Sequence, residues 1–212
     1  MKVALIDYGV GNVQSVLNSI RRSGGNAQII ESHDDLRRCQ FDRVIFPGVG
    51  AIGKSLLEFR TRGLESALKE AVLDRGIPLL GICVGMQMLF QEAEEFGTHK
   101  GLGLLPGRVT RLKADTKDNS QIPLRLPHVG WNTVTHTGNH PLFENVGVTD
   151  FYFVHSYAVE CDDNVVLART QYGHAFPSAV GHGAVLGVQF HPEKSSSVGE
   201  QLIRNFLAWQ PC

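Results

Sequence analysis

The feature that most constrains this chain is the stretch from Pro78 to Phe90, PLLGICVGMQMLF, where a cysteine stands between two glycines as Gly81-x-Cys83-x-Gly85. Ile77 to Ile82 is a short apolar run that suits a strand buried on both faces, and such strands belong to parallel sheets covered by helices. Val84 to Glu94 reads as a helix, with Met88, Gln91 and Glu95 at helical spacing. A strand that turns straight into a helix at glycine-x-nucleophile-x-glycine is a nucleophile elbow. Its glycines leave room for a tight, strained turn that lifts the side chain out of the sheet. A helix N-terminus also favours negative charge, and so the reactive thiolate. The competing reading is a thiol that simply packs as a small hydrophobe.

The flanking sequence predicts the sheet that such an elbow needs. Strands are expected over Lys2 to Asp7, Ala27 to Ile30 and Arg43 to Phe46, with helices over Asn12 to Arg22 and most of Leu56 to Leu73. Repeated strand-helix-strand units force a parallel sheet with helices on its faces. From about Gly103 the texture changes to short strands and frequent turns: GRVTRL, GWNTVTH, DFYFVHSYAV and VVLART. Ala179 to Gly181 and Ala184 to Gln189 read as a hairpin turning at His182 and Gly183, and a last amphipathic helix spans about Val198 to Trp209. The polar segment from Lys113 to Ser120 is expected to be a mobile loop. No repeat or linker divides the 212 residues, so a single domain over 1–212 is expected.

Composition removes several function classes. The 20 basic and 21 acidic side chains are mixed along the sequence, which offers no surface for nucleic acid. Cys39, Cys83, Cys161 and Cys212 include no C-x-x-C pair, so neither a disulfide framework nor a zinc knuckle is expected, and a reducing cytoplasm fits. There is no leader-like start at Met1 and no segment of membrane-spanning length.

A cysteine nucleophile needs a base, and the base needs an orienting group. His136 and His140 are four apart, but Gly138 and Pro141 break any helix that would align them on a metal. His33, His99, His174 and His182 lie in polar, turn-like surroundings and read as solvent-facing; His155, in YFVHSY, reads equally well as a satisfied strand histidine. His191 stands apart because the apolar strand GVQF ends in His-Pro-Glu. Pro192 biases His191 toward extended backbone, so His191 and Glu193 can project to one side, although a direct bond between them needs a local bend. The elbow, the His-Pro-Glu and the Pro47-Gly48-Val49-Gly50 turn would then share one end of one sheet, where such sheets build their sites. The chain order Cys83, His191, Glu193 differs from the nucleophile, acid, histidine order of an α/β-hydrolase. A dinucleotide fingerprint at Gly9-x-Gly11 is rejected because Gln14 stands where its third glycine belongs.

At these residues the chain resembles a known family. PGVG, GICVGMQ and FHPEK are similar to the motifs of the triad-type, or class I, glutamine amidotransferases, and the likeness runs from Asp7 to the C-terminal helix. DYGVGN, PHVGWN, YFVHSY and VQFHPEKS resemble the branch of histidine biosynthesis that passes ammonia to a separate (β/α)8-barrel cyclase subunit in a heterodimer. Val129 replaces a methionine expected in that branch, and Ser156 stands where threonine is also common; neither change removes a reactive group.

The resemblance implies an α/β fold with a mostly parallel, flavodoxin-like central sheet and additional antiparallel strands in the C-terminal half. It implies Cys83 as nucleophile, His191 as acid and base, Glu193 as its orienting group, and an oxyanion site made by backbone N–H groups at Val49 and Val84. Gly50, Gln87, Glu95, Ser156 and Tyr157 would meet the substrate glutamine. Asn12, Trp131, Asn132, Tyr152 and Lys194 would face the cyclase, and neither metal nor cofactor is implied. Two alternatives stay open: another glutaminase of the family, such as the partner of a pyridoxal phosphate synthase, and a catalytically silent binding module in which Cys83 is merely buried.

Overall fold

The computed structural model describes residues 1–113, 124–136, 138 and 140–211; the loop expected at Lys113 to Ser120 lies, from 114 onward, outside them. The first half follows the alternation of apolar runs and amphipathic segments. β1 (Lys2–Ile6), α1 (Val13–Arg22), β2 (Asn26–Ile30), α2 (His33–Arg38), β3 (Arg43–Gly48), α3 (Ile52–Thr61), α4 (Leu64–Lys69), β4 (Leu79–Cys83) and α5 (Val84–Met88) come in that order. The side chain of Asn12 caps α1, accepting from Ser15 N. Every residue of β3 and β4 is buried, as expected of parallel strands covered on both faces.

The helix expected over Val84 to Glu94 stops at Met88. Gly101, Leu102, Gly103 and Leu104 return to donate their N–H groups to the carbonyls of Gln91, Met88, Phe90 and Leu89, so a tertiary partner takes the acceptors that the next helical turn would have used. The chain continues instead as β5 (Glu92–Glu94) and β6 (Thr98–Lys100).

The second half adds β7 (Arg108–Arg111), β8 (His128–His136), β9 (Thr149–His155), β10 (Tyr157–Glu160), β11 (Val166–Tyr172), β12 (His174–His182), β13 (Val185–Val188) and α6 (Ser196–Ala208). The run DFYFVHSYAV is split at Ser156: β9 stays in the large sheet, and β10 crosses to a small four-stranded sheet ordered β10-β7-β5-β6. The large sheet has nine strands ordered β2-β1-β3-β4-β13-β12-β11-β8-β9. Its first five are parallel, in the flavodoxin-like order with β13 taking the fifth place, and the remainder are antiparallel. The expected hairpin is β12–β13, paired from His182↔Val185 to Ala179↔Val188.

Two registers position the site. Gly48 at the end of β3 pairs with Cys83 at the end of β4, and Val188 at the end of β13 pairs with Ile82. The C-terminal ends of β3, β4 and β13 are therefore adjacent. The last helix is tied down by buried Arg43, which donates to the carbonyls of Phe206 and Trp209. Among the described residues no helix is long and apolar enough to cross a membrane.

Candidate active site

Cys83 closes β4 with φ 54 and ψ −113, a conformation that L-residues rarely adopt. A side chain on Gly85 would collide with the carbonyl of Phe46 in β3, so the elbow packs against its neighbour only because glycine stands there. The α5 helix that follows has only five residues, too few for a strong N-terminal dipole. The positive charge facing the sulfur has to come from elsewhere.

His191 supplies it. The chain leaves β13 through Gln189 and Phe190, and Pro192–Lys194 then forms a 3-10 turn, the local bend a His–Glu bond requires. His191 Nδ1 lies 2.8 Å from Glu193 Oε1, and both side chains are almost wholly buried. Nε2 of His191 is buried with no hydrogen-bond partner among the described residues. Burial alone would push the imidazole's pKa down; attraction to the Cys83 sulfur and to the Glu193 carboxylate outweighs it and lifts the value to about 10.

Val49, Gly50, Cys83, Val84, Gln87, Glu95, His155, Ser156, Tyr157 and His191 line one cleft of ≈ 260 Å³, with Pro127 and Val154 completing the wall. Every catalytic, oxyanion and substrate residue expected from the sequence except Glu193 borders it, and Glu193 reaches it through His191. Gly50 has φ +80, a left-handed conformation that glycine adopts without strain. Gly48 is needed for another reason: a Cβ there would lie 2.5 Å from the Tyr8 hydroxyl and 2.7 Å from Gly85 N.

Glu95 Oε2 accepts from Ile52 N at 2.6 Å, so this carboxylate also caps α3, whose own N-cap residue, Ala51, has no side chain to do so. Gln87 Nε2 donates to Tyr157 O and to Gln189 Oε1, each at 3.0 Å. Gln189 is fully buried, and its Nε2 lies 3.7 Å from Cys83 Sγ. Sequence reading gave Gln189 no role, yet an amide inside the apolar run VLGVQF was a usable signal, because a buried polar group needs partners.

The sequence matches known proteins along nearly all of its length. The class-I glutamine amidotransferase family matches residues 4–209. The chain is 44% identical over 208 residues to the imidazole glycerol phosphate synthase subunit HisH of Salinibacter ruber, covering 96% of this chain and 93% of that one. It belongs to the class-I glutamine amidotransferases, in the HisH branch. The HisH of Neisseria meningitidis serogroup B is 42% identical over 215 residues, covering 99% of this chain and all of that one. A crystal structure of a glutamine amidotransferase superimposes on this amidotransferase with a TM-score of 0.73 at 23% identity, covering 97% and 96% of the two chains, which supports the shared fold.

The residues expected to face a partner divide by environment. Trp131 is 53% exposed, its ring stands edge-on to Tyr152, and the Lys194 ammonium lies over the Tyr152 ring, so these three form one aromatic-cationic patch. Tyr152 O also accepts from His191 N, which ties the patch to the His191–Lys194 turn. Asn12 is exposed but serves as the cap of α1. Asn132 is half-buried and donates from its amide to Gln171 O at 2.9 Å. Of the histidines read as solvent-facing, His33, His99 and His174 are half-buried and only His182 is exposed, and His99 Nε2 meets Glu95 O at 2.8 Å.

Proposed function

We propose that the chain is the glutaminase subunit of an imidazole glycerol phosphate synthase, releasing ammonia from glutamine for a separate (β/α)8-barrel cyclase with which it forms a heterodimer. The observation that carries the reading is the convergence of Cys83 and the buried His191–Glu193 pair on one cleft at the ends of neighbouring strands.

The Cys83 thiolate attacks the side-chain carbonyl carbon of glutamine, forming the C–S bond. The oxyanion is held by N–H groups of Val84 and of the Gly48–Val49 peptide. His191 gives its proton to the amide nitrogen, the C–N bond breaks, and ammonia leaves a γ-glutamyl thioester. His191 then takes a proton from water, which attacks the thioester carbon; the C–S bond breaks, glutamate departs, and the Cys83 thiolate beside protonated His191 is restored. Glu193 keeps the imidazole oriented and balances its charge without exchanging a proton with substrate. Gln87 and Glu95 meet the glutamine head group, and the backbone at Gly50, Ser156 and Tyr157 completes the pocket. The Trp131, Tyr152 and Lys194 patch, together with exposed Asn12 and half-buried Asn132, faces the cyclase.

Glutamine hydrolysis measured for the chain alone, with the cyclase, and with the cyclase and its nucleotide tests this reading. Cys83→Ala and His191→Ala should each abolish glutamine-dependent synthesis while the complex still uses added ammonia. Loss of the ammonia-dependent reaction in an assembled complex would count against the division of labour.

A further inference from the structure

We propose that His128, His155 and Asn132 form a positioning chain that fixes the Tyr157 carbonyl, and through it the Gln87 amide, in the orientation that receives glutamine. The proposal rests on the glutaminase reading above and assigns roles to two histidines outside the catalytic set.

The contacts are continuous. Asn132 Nδ2 lies 3.1 Å from His128 Nε2, His128 Nδ1 lies 3.0 Å from His155 Nε2, and His155 Nδ1 lies 2.8 Å from Tyr157 O. Beyond that carbonyl the chain runs through Gln87 and Gln189 toward the Cys83 sulfur. Both rings are buried, and His128 stacks on Tyr172 with centroids 4.0 Å apart.

The ends of the chain dictate where each proton sits. A carbonyl can only accept, so Gln171 O fixes Nδ2 as the inward atom of Asn132, and Asn132 Oδ1 is held by Thr133 N. His128 Nε2 then accepts, leaving its proton on Nδ1 to point at His155 Nε2. His155 in turn carries its proton on Nδ1 and donates to Tyr157 O. Assignment from the other end gives the same answer, because Tyr157 O must also accept. An additional proton on either ring would set donor against donor. Burial acts the same way, holding the pKa of His128 down to about 4 and that of His155 to about 3, so both stay neutral near pH 7.

The consequence falls on Gln87. Tyr157 O receives two donors, from His155 and from Gln87. With Gln87 Nε2 committed to Tyr157 and Gln189, its Oε1 is the atom left to accept a hydrogen bond from a donor in the cleft, such as the ammonium or amide N–H of glutamine. His155 is therefore a positioning residue: it acts by holding a carbonyl that holds an amide.

Two measurements test this. The first is ¹⁵N NMR of the imidazoles in the wild-type chain, where both rings should be neutral with the proton on Nδ1; a proton on Nε2 of either ring overturns the proposal. The second is kinetics with the cyclase and its nucleotide present. His155→Leu should raise the glutamine KM about tenfold, the loss of one buried hydrogen bond, while kcat changes less than about threefold. His155→Asn, whose amide nitrogen can stand in for Nδ1, should recover most of that KM. An unchanged KM in His155→Leu, or an Asn variant no better than the Leu variant, would refute the role. If the wild-type complex hydrolyses no glutamine, the function fails, but the tautomers remain readable and decide the chain on their own.

Discussion

His191 Nδ1 and Glu193 Oε1 meet at 2.8 Å across a two-residue separation, with each side chain only 2% exposed. The contact exists because the 3-10 turn at Pro192–Lys194 folds Glu193 back on the ring. Glu193→Gln keeps a hydrogen-bonding group there but removes the negative charge that favours the imidazolium. A charge-assisted bond is worth about 1.5–3 kcal/mol, so glutaminase activity in the complex should fall roughly 10- to 10²-fold and stay above that of Cys83→Ala. The His191 pKa, lifted by that carboxylate, should fall in an NMR titration. A variant as dead as Cys83→Ala, with fold and partner binding intact, would give Glu193 a larger part than orientation.

Local pattern reaches as far as local physics decides the outcome. The strands flanking the site were legible because buried parallel strands read as continuous apolar runs, and the elbow because Gly81 and Gly85 bracket Cys83. The helix was overextended past Met88 because Leu89 to Glu94 are sound helix formers, and nothing local reveals that Gly101 to Leu104 will take their carbonyls. Gln189 and the His128–His155 pair were missed for a related reason. Their chemistry depends on contacts across separations of 102 and 27 residues, which no window of sequence contains. Motif resemblance nominates Gln87 and Glu95 for the substrate, but does not reveal that Glu95 also caps α3.

Gln189 links Gln87 to the nucleophile, so its loss should be felt in both binding and attack. Gln189→Leu keeps an apolar-compatible shape while removing the acceptor for Gln87 Nε2 and the donor facing Cys83 Sγ. Unpairing a buried polar partner costs about 1–3 kcal/mol, so kcat/KM for glutamine should drop roughly 10- to 10²-fold. Labelling of Cys83 by an electrophilic glutamine analogue should slow by a similar factor, and alkylation by a small neutral reagent much less. Equal slowing with both reagents would mean that Gln189 matters only to the thiol.

The two neutral histidines should make the fold acid-labile. With folded pKa values near 4 and 3 against an ordinary 6.5, the unfolded chain binds protons that the native chain refuses as pH falls below 6.5. Each ring therefore removes about 1.4 kcal/mol of stability per pH unit between pH 6.5 and about 4. His191 has the opposite sign: its raised pKa gives stability that is intact below pH 6.5 and lost as pH climbs toward 10. Urea unfolding at several pH values should show the acid slope, and His128→Leu should reduce it by about one proton. An unchanged slope would mean that His128 is protonated in the native state.

Gly50 offers the cleanest probe of whether the oxyanion turn governs partner-dependent activation. Its φ is +80, but a Cβ placed there would meet nothing within 4 Å, so Gly50→Ala perturbs the backbone conformation without a clash. Straining the left-handed conformation costs about 1–2 kcal/mol, enough to shift a turn balanced between presenting a carbonyl and presenting an N–H. Losing one oxyanion donor is worth about 10²–10³ in rate, so the turn alone can switch activity. The free chain should hydrolyse glutamine slowly, and the cyclase with its nucleotide should accelerate it by contacting the active orientation better than the inactive one. Gly50→Ala should blunt that acceleration at least tenfold, the rate equivalent of about 1.4 kcal/mol, while the KM for glutamine changes far less. Steady-state rates with and without the liganded partner measure both quantities. A free wild-type chain as fast as the complex would rule out gating at this turn, and a Gly50→Ala variant stimulated as fully as wild type would move the switch elsewhere.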